Sequence, residues 1–276
     1  MKSIFQTIAE SEGNDQAIAL CTIVRTRGST PRRVASKMLV FQTGEIQGSV
    51  GGGEIERRVI SAALAALRDG RPVYLEYDMV DPSQGDPGIC GGQVEVYVEP
   101  IMPKPVVVVI GGGHVGKAVV HLAHWLGFRV VVSDDRPEFC NPQAVPEADA
   151  YYPVMMQELS RHLEITPWTY LILTTRGVDV DVPGLPALLD SNAAYIGVIG
   201  SRKRWLTTRK QLLELGVTEE KLSRIHSPIG LELNAETPEE IAVSIMAEII
   251  MQRNGGDGRS MLWKVEARPE VKNVGE

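Results

Sequence analysis

Apolar residues follow two different rhythms along this chain. In the first hundred residues the runs are short and mixed. Residues 17–24 are apolar and strand-like, and 37–41 followed by Thr43-Gly44-Glu45 reads as a hairpin. Ile55, Val59, Ile60, Ala63, Leu64 and Leu67 recur at helical spacing across 54–67, with Gly70 as a stop. Val94, Val96 and Val98 alternate with Glu95, Tyr97 and Glu99, the pattern of a half-buried strand.

Beyond residue 105 the rhythm becomes strand, helix, strand. Residues 106–110, 129–133, 170–174 and 195–199 are short β-branched-rich runs, and 114–126 is apolar at Val115, Ala118, Val119, Leu122 and Leu126. Interleaving of this kind predicts βαβ units and a parallel sheet covered on both faces. A last helix opens with the capping box Thr237-Pro238-Glu239-Glu240, and its apolar face runs through Ile241, Ile245 and Ile249. Between the two regimes, Pro100, Pro103 and Pro105 break both helix and central strand, which marks a linker. The expected organisation is α/β: a mixed α/β domain over 1–102, a Rossmann-like parallel-sheet domain over 103–253, and a loosely held polar tail over 254–276.

Composition narrows the function classes. A net charge of −7 disfavours a protein built for sequence-independent nucleic-acid binding, where Lys and Arg neutralise phosphates. No apolar run approaches the roughly 20 residues that span a bilayer, and residues 1–6 do not open a signal peptide. Cys21, Cys90 and Cys140 are an odd number with no CxxC pair, the expectation for free thiols in a reducing cytoplasm. Glycine is abundant at 27 residues, and 13 of these fall in four clusters.

The clusters carry the candidate chemistry. Gly111-Gly112-Gly113-His114-Val115-Gly116 follows an apolar strand and opens a helix. That context suits a nucleotide: Gly111 for the turn, Gly113 for close approach of a pyrophosphate, Gly116 for helix–strand packing. The helix N-terminus offers free amides to an anion, and Asp134 and Asp135, about 20 residues on, offer carboxylates to a ribose. The same stretch nearly spells a P-loop, but Ala118 stands where a Mg²⁺-ligating Ser or Thr is needed.

Gly51-Gly52-Gly53 precede another helix and suggest an anion nest, and Arg32 supplies a guanidinium nearby in sequence. Cys90 sits among Gly88, Gly91 and Gly92, a position suited to a thiolate nucleophile or a soft-metal ligand. Ser201 and Arg202 follow the strand at 195–199, where ligands of open α/β sheets bind, and His226 could face the same crevice. There is no HExxH, no Cys/His cluster and no GxSxG elbow.

Taken together and in order, these stretches resemble the XdhC/CoxI family, the xanthine dehydrogenase accessory proteins. The matching segments are GSTPR (28–32), SKMLV (36–40), GSVGGGEIE (48–56), CGGQVEVYVEP (90–100), GGGHVG (111–116), DDRPEF (134–139), IGSRKR (199–204) and HSPIGLELNAETPEEIAVSIMAEI (226–249). The resemblance implies an N-terminal XdhC/CoxI domain, a C-terminal Rossmann domain, and a chaperone for molybdenum hydroxylases without turnover of its own. Such proteins bind the molybdenum cofactor, as molybdopterin or its dinucleotide, work with a cysteine desulfurase that adds the sulfido ligand, and serve the hydroxylase apoenzyme. Carried over, Cys90 is the favoured thiol and metal ligand, Gly51, Gly52 and Gly53 contact the pterin phosphate, and Gly111, Gly113 and Gly116 form a nucleotide-type site. A homodimer is expected. Val178 and Glu54 stand where many or some members carry His and Cys, so Cys90 is the thiol with motif support. The competing expectations are an NAD(P)-dependent oxidoreductase, for which His114 and His226 are the candidate proton donors, and a non-catalytic nucleotide scaffold.

Overall fold

The computed structural model describes residues 2–13, 16–78 and 91–262. Cys90 with residues 86–89, and 263–276 of the polar tail, lie outside the described residues. The chain divides into two compact units, Met1–Lys104 and Pro105–Glu276.

In the first unit, α1 (Ile4–Gly13) is followed by β1 (Ile18–Arg27), β2 (Lys37–Phe41), β3 (Ile46–Gly48), α2 (Gly53–Asp69), β4 (Val73–Asp78) and β5 (Gln93–Ile101). The strands form one antiparallel sheet in the order β3-β2-β1-β5-β4. Cys21 pairs with Met38 on one side and Val98 on the other, and all three are buried. The helical face expected from the sequence, with Ile55, Val59, Ala63 and Leu67, is buried and meets β1, β2, β4 and β5. Each large apolar side chain buried in this way contributes about 1.5–3 kcal/mol. Gly70 ends α2 in a left-handed conformation.

One expectation fails here. Pro100 does not break the strand: β5 runs through it to Ile101, with Pro100 opposite Ala19. The reason is position. β4 pairs with β5 only as far as Val98, so beyond that point β5 is an edge with β1 as its single neighbour, a place where a strand tolerates proline.

The second unit contains β6 (Val106–Ile110), α3 (His114–Trp125), β7 (Arg129–Ser133), β8 (Ala150–Tyr152), β9 (Thr169–Leu173), α4 (Val178–Leu189), β10 (Tyr195–Val198), α5 (Arg202–Glu214), α6 (Glu219–Leu222), β11 (Ile225–His226) and α7 (Pro238–Asn254). Six parallel strands lie in the order β8-β7-β6-β9-β10-β11, the Rossmann order, which reverses direction between β6 and β9. All five residues of β6 are buried, because helices cover both faces of the sheet. Val106, Val108 and Ile110 join one core with Leu185 and Leu188 of α4 and Leu212 of α5. Val107 and Val109 join the other with Val119 and Ala123 of α3 and Ile245 and Ile249 of α7.

The capping box predicted at Thr237 is formed with Glu240. α4 carries Pro183 and Pro186 in its interior, each of which removes one intrahelical hydrogen bond. Buried Leu185, Leu188 and Leu189 offset that loss, and Gly184 lets Met156 approach the helix backbone.

Candidate functional site

At one end of the antiparallel sheet, three glycine motifs converge. β1 ends at Arg27 and β5 begins opposite it at Gln93, so the turns that flank them are neighbours. A Cβ added to Gly92 would stand 2.2 Å from the Ser29 carbonyl oxygen and 2.7 Å from that of Arg27. One added to Gly28 would stand 3.0 Å from the Gly91 oxygen, and one on Gly51 would stand 3.2 Å from Pro31 Cγ. The turn 28–31 is therefore clasped between Gly91–Gly92 and the loop that opens α2. Side chains at these positions would separate the three segments. Cys90 adjoins Gly91 in the chain and lies outside the described residues.

The loop into α2 has an anion in it already. Glu56 reaches back from the first turns of the helix and accepts from the Ser49 hydroxyl and, at 3.3 Å, from the Val50 amide. Partial burial pushes its pKa up, but the Ser49 hydroxyl and the amides of Gly52, Val50 and Gly51 outweigh it and hold the group below its ordinary value. Gly52 and Gly53 face open space, and Arg32 and Arg33 are exposed on the neighbouring turn.

Cys21 and Cys140 pack as the sequence suggests. Both are buried; burial raises the Cys21 thiol to about 12 and also raises Cys140, whose Sγ lies 3.4 Å from the Val132 carbonyl. Neither is a thiolate near neutral pH. Among the described residues no group of three or more His, Cys, Asp or Glu is placed to hold a metal ion. No helix among them is long and apolar enough to cross a membrane.

In the second unit the turn 111–116 sits at the carboxyl end of β6, at the point where strand order reverses. Three of its glycines are required by backbone contact: a Cβ on Gly116 would lie 1.9 Å from the Gly111 oxygen, one on Gly112 would lie 2.0 Å from the Phe139 oxygen, and one on Gly111 would lie 2.6 Å from the Thr174 oxygen. Gly113 differs. It faces open space and begins α3 with no side-chain cap, so the helix N-terminus is open to an anion.

Two adjacent carboxylates after β7 divide their work. Asp134, only 4% exposed, accepts the Gly112 amide at 2.9 Å, the Arg136 amide at 3.0 Å and the Arg136 side chain through Nε and Nη2, both at 2.9 Å. Its oxygens are committed to holding the turn closed. Asp135, the more exposed of the two, lines with Asp134 a cleft of about 80 Å³ at the carboxyl ends of β6, β7 and β9. Both Asp135 oxygens are forked by Arg176, at 2.7 and 2.8 Å, and this fork holds the carboxyl below its ordinary pKa against the effect of burial. Arg136 lies over the Phe139 ring at 4.0 Å.

The remaining residues singled out in the sequence are dispersed. Ser201 caps α5 by accepting the Arg204 amide at 3.2 Å, and Arg202 is exposed beside it. Arg204 turns inward to Asp181, which is fully buried, and to the Thr175 carbonyl and hydroxyl. That network fixes the loop after β9 which carries Arg176. His114 lines a separate groove with Lys117 and His121 of α3 and Pro238 of α7.

His226 is not part of the cleft lining. It stacks on Tyr195 at 4.5 Å and contacts Glu248 at 3.2 Å, and Glu248 also accepts from Tyr195 at 2.5 Å and from the Gly230 amide at 2.6 Å. Sequence reading did not single out Arg176 as a site residue or Glu248 at all. The Arg176 signal was available in Thr175-Arg176-Gly177, at the end of an apolar strand.

Comparison with known proteins agrees with this architecture. The family model for the XdhC Rossmann domain matches residues 107–249, just over half of the chain, and the model of the XdhC and CoxI family matches 12–78. The chain is 35% identical over 262 residues to YqeB of Escherichia coli, an uncharacterized protein, covering 94% of this chain and 48% of that one. It is 33% identical over 158 residues to a probable xanthine dehydrogenase subunit of Bacillus subtilis, covering 57% and 46%. It is 24% identical over 281 residues to the molybdenum cofactor insertion chaperone PaoD of Escherichia coli, covering 91% and 88%. The chain thus spans about half the length of the first two relatives. A crystal structure described as a xanthine dehydrogenase from Bacillus halodurans shares the fold, with a TM-score of 0.50 and 22% identity over 92% of this chain and 96% of that one. By the match to its Rossmann domain, with the shorter match at 12–78, the chain belongs to the XdhC and CoxI family.

Proposed function

We propose that this protein is an accessory factor that holds the molybdenum cofactor and delivers it to a hydroxylase of the xanthine dehydrogenase or CO dehydrogenase type. The observation that carries the reading is the convergence of turn 28–31, Gly91–Gly92 and Gly51 at one end of the first unit, next in sequence to Cys90. The names of two relatives, a molybdenum cofactor insertion chaperone and a probable xanthine dehydrogenase subunit, support it.

In this reading residues 1–102 hold the pterin end. Cys90 supplies a thiolate for molybdenum, a metal for which sulfur is a suitable ligand. Gly52, Gly53 and Arg32 offer amides and a guanidinium to the cofactor's phosphate. Glu56 already occupies part of that nest, so the phosphate either displaces it or sits on the open Gly52–Gly53 side. Residues 103–253 hold a nucleotide through Gly111, Gly113 and Gly116. The protein works in the cytoplasm as a homodimer, with a cysteine desulfurase as the source of the sulfido ligand.

The test is direct binding. Purified protein is incubated with molybdenum cofactor, separated by gel filtration, and the pterin released and measured by fluorescence. About one pterin per chain that is lost in Cys90→Ala supports the reading; no co-elution at micromolar concentrations overturns it.

A further inference from the structure

The cleft beside the turn 111–116 has features that the cargo role does not use. It lies at the strand-order switch point, next to the uncapped N-terminus of α3. Met155 and Pro183 give it apolar wall, and Asp135 points a carboxylate into it. Both oxygens of that carboxylate are taken by two parallel N–H groups of Arg176.

We propose that this cleft binds a nucleoside diphosphate whose ribose carries a free 2′,3′-diol, and that Arg176 is a latch which the diol displaces from Asp135. The proposal rests on reading the turn 111–116 as a nucleotide site and adds which nucleotide it takes and what regulates entry. Three arguments lead to it.

First, the acceptor is Asp135 and not its neighbour. Asp134 is buried and spends its oxygens on Gly112 and Arg136, whereas the Asp135 side chain keeps 26% of its surface exposed at the cleft. Second, a ribose diol offers two O–H donors on adjacent carbons, which replace the two N–H donors of the fork one for one. Arg176 and the diol therefore compete for the same oxygens. Third, a 2′-phosphate takes away one of the two O–H donors and so cannot replace the fork one for one. Asp134, Asp135 and Asp179 face Arg136 and Arg176, and Arg136 is already bound to Asp134. A 2′-phosphate at the ribose would meet the Asp135 carboxylate as a like charge. The diphosphate has a separate place at Gly113 and the α3 amides.

Calorimetric titration of the full chain with ADP-ribose, NAD and NADP tests each element. ADP-ribose and NAD should bind with similar affinity, because the nicotinamide is not part of the recognition, and NADP should bind at least about tenfold more weakly. Asp135→Asn should weaken NAD about tenfold, while Arg176→Ala, by removing the competitor, should strengthen it by about three- to tenfold. Arg176→Lys keeps the charge without the fork and should fall between wild type and Arg176→Ala. Should Asp135→Asn unfold, the two Arg176 variants alone decide, since only a latch makes its own removal favourable. NADP binding as tightly as NAD, or Arg176→Ala weakening NAD, overturns the proposal. Absence of any nucleotide binding at millimolar concentration also overturns it, and the molybdenum cofactor assay, read separately, then shows whether the accessory role still stands.

Discussion

Asp134 accepts the backbone N–H of Gly112 at 2.9 Å, and that single bond ties the glycine turn after β6 to the segment after β7. The same carboxylate anchors Arg136, so its removal leaves a buried amide unpaired and a guanidinium without its counter-charge. Asp134→Ala should cost about 1–3 kcal/mol of stability in urea unfolding. Asp135→Ala, which breaks a partly exposed pair with Arg176, should cost no more than about 1 kcal/mol. Equal losses from the two variants would contradict the division of labour between these neighbours.

The glycines of the turn should separate in the same way. Gly116→Ala and Gly112→Ala drive a methyl into backbone oxygens at 1.9 and 2.0 Å, so both variants should lose most of their soluble yield or melt at clearly lower temperature. Gly113→Ala meets nothing within 4 Å and should melt close to wild type while weakening nucleotide binding, because its methyl would stand in the open space at the start of α3 where a pyrophosphate must come close. A thermal-shift comparison of the three checks this. Gly113→Ala destabilised as much as the others would contradict it.

Much of this arrangement could be read from the sequence, and the remainder has identifiable causes. β6, β7, β9 and β10 are runs of β-branched and aliphatic residues buried on both faces, and such runs are visible without a partner. The turn 111–116 was visible because a glycine-rich run between an apolar strand and a helix is a pattern local to the sequence. α4 was hidden because Pro183 and Pro186 break the local pattern and only tertiary burial of its leucines offsets them. Pro100 misled for a related reason: whether a strand tolerates proline depends on where its neighbour ends. The pairing of Asp135 with Arg176 crosses 41 positions and depends on β7 and β9 flanking β6, so spacing alone gives no sign of it.

Glu248 should shape the acid limb of stability. Burial raises its pKa, but bonds from His226, Tyr195 and Gly230 outweigh burial and hold the folded value below the ordinary 4.5. A carboxylate depressed in the folded state contributes stability above its unfolded pKa and loses that contribution as pH falls through the folded value. Unfolding free energy should therefore decline below about pH 4.5, with Glu56 and Asp135 adding to the same limb. Glu248→Gln should be less stable at pH 7 and show a shallower decline between pH 5 and 3, measured by urea titration across about that range. A limb as steep as wild type would contradict the assignment.

Thiol reactivity should be confined to one residue. Cys21 is buried with its thiol raised to about 12, and Cys140 is buried with its thiol raised as well. Under native conditions a thiol reagent should label one cysteine rapidly, and Cys90→Ala should abolish the fast phase. A fast phase that survives Cys90→Ala would locate the reactive thiol elsewhere.

The accessory role itself is tested most directly by reconstitution. A cofactor-free xanthine dehydrogenase-type hydroxylase is mixed with this protein preloaded with sulfurated molybdenum cofactor, and hydroxylase turnover is followed over time. Activation that exceeds that of free cofactor, and that falls to the free-cofactor level with Cys90→Ala, is the predicted result. Activation no faster than with free cofactor, or full activation by Cys90→Ala, would contradict the account.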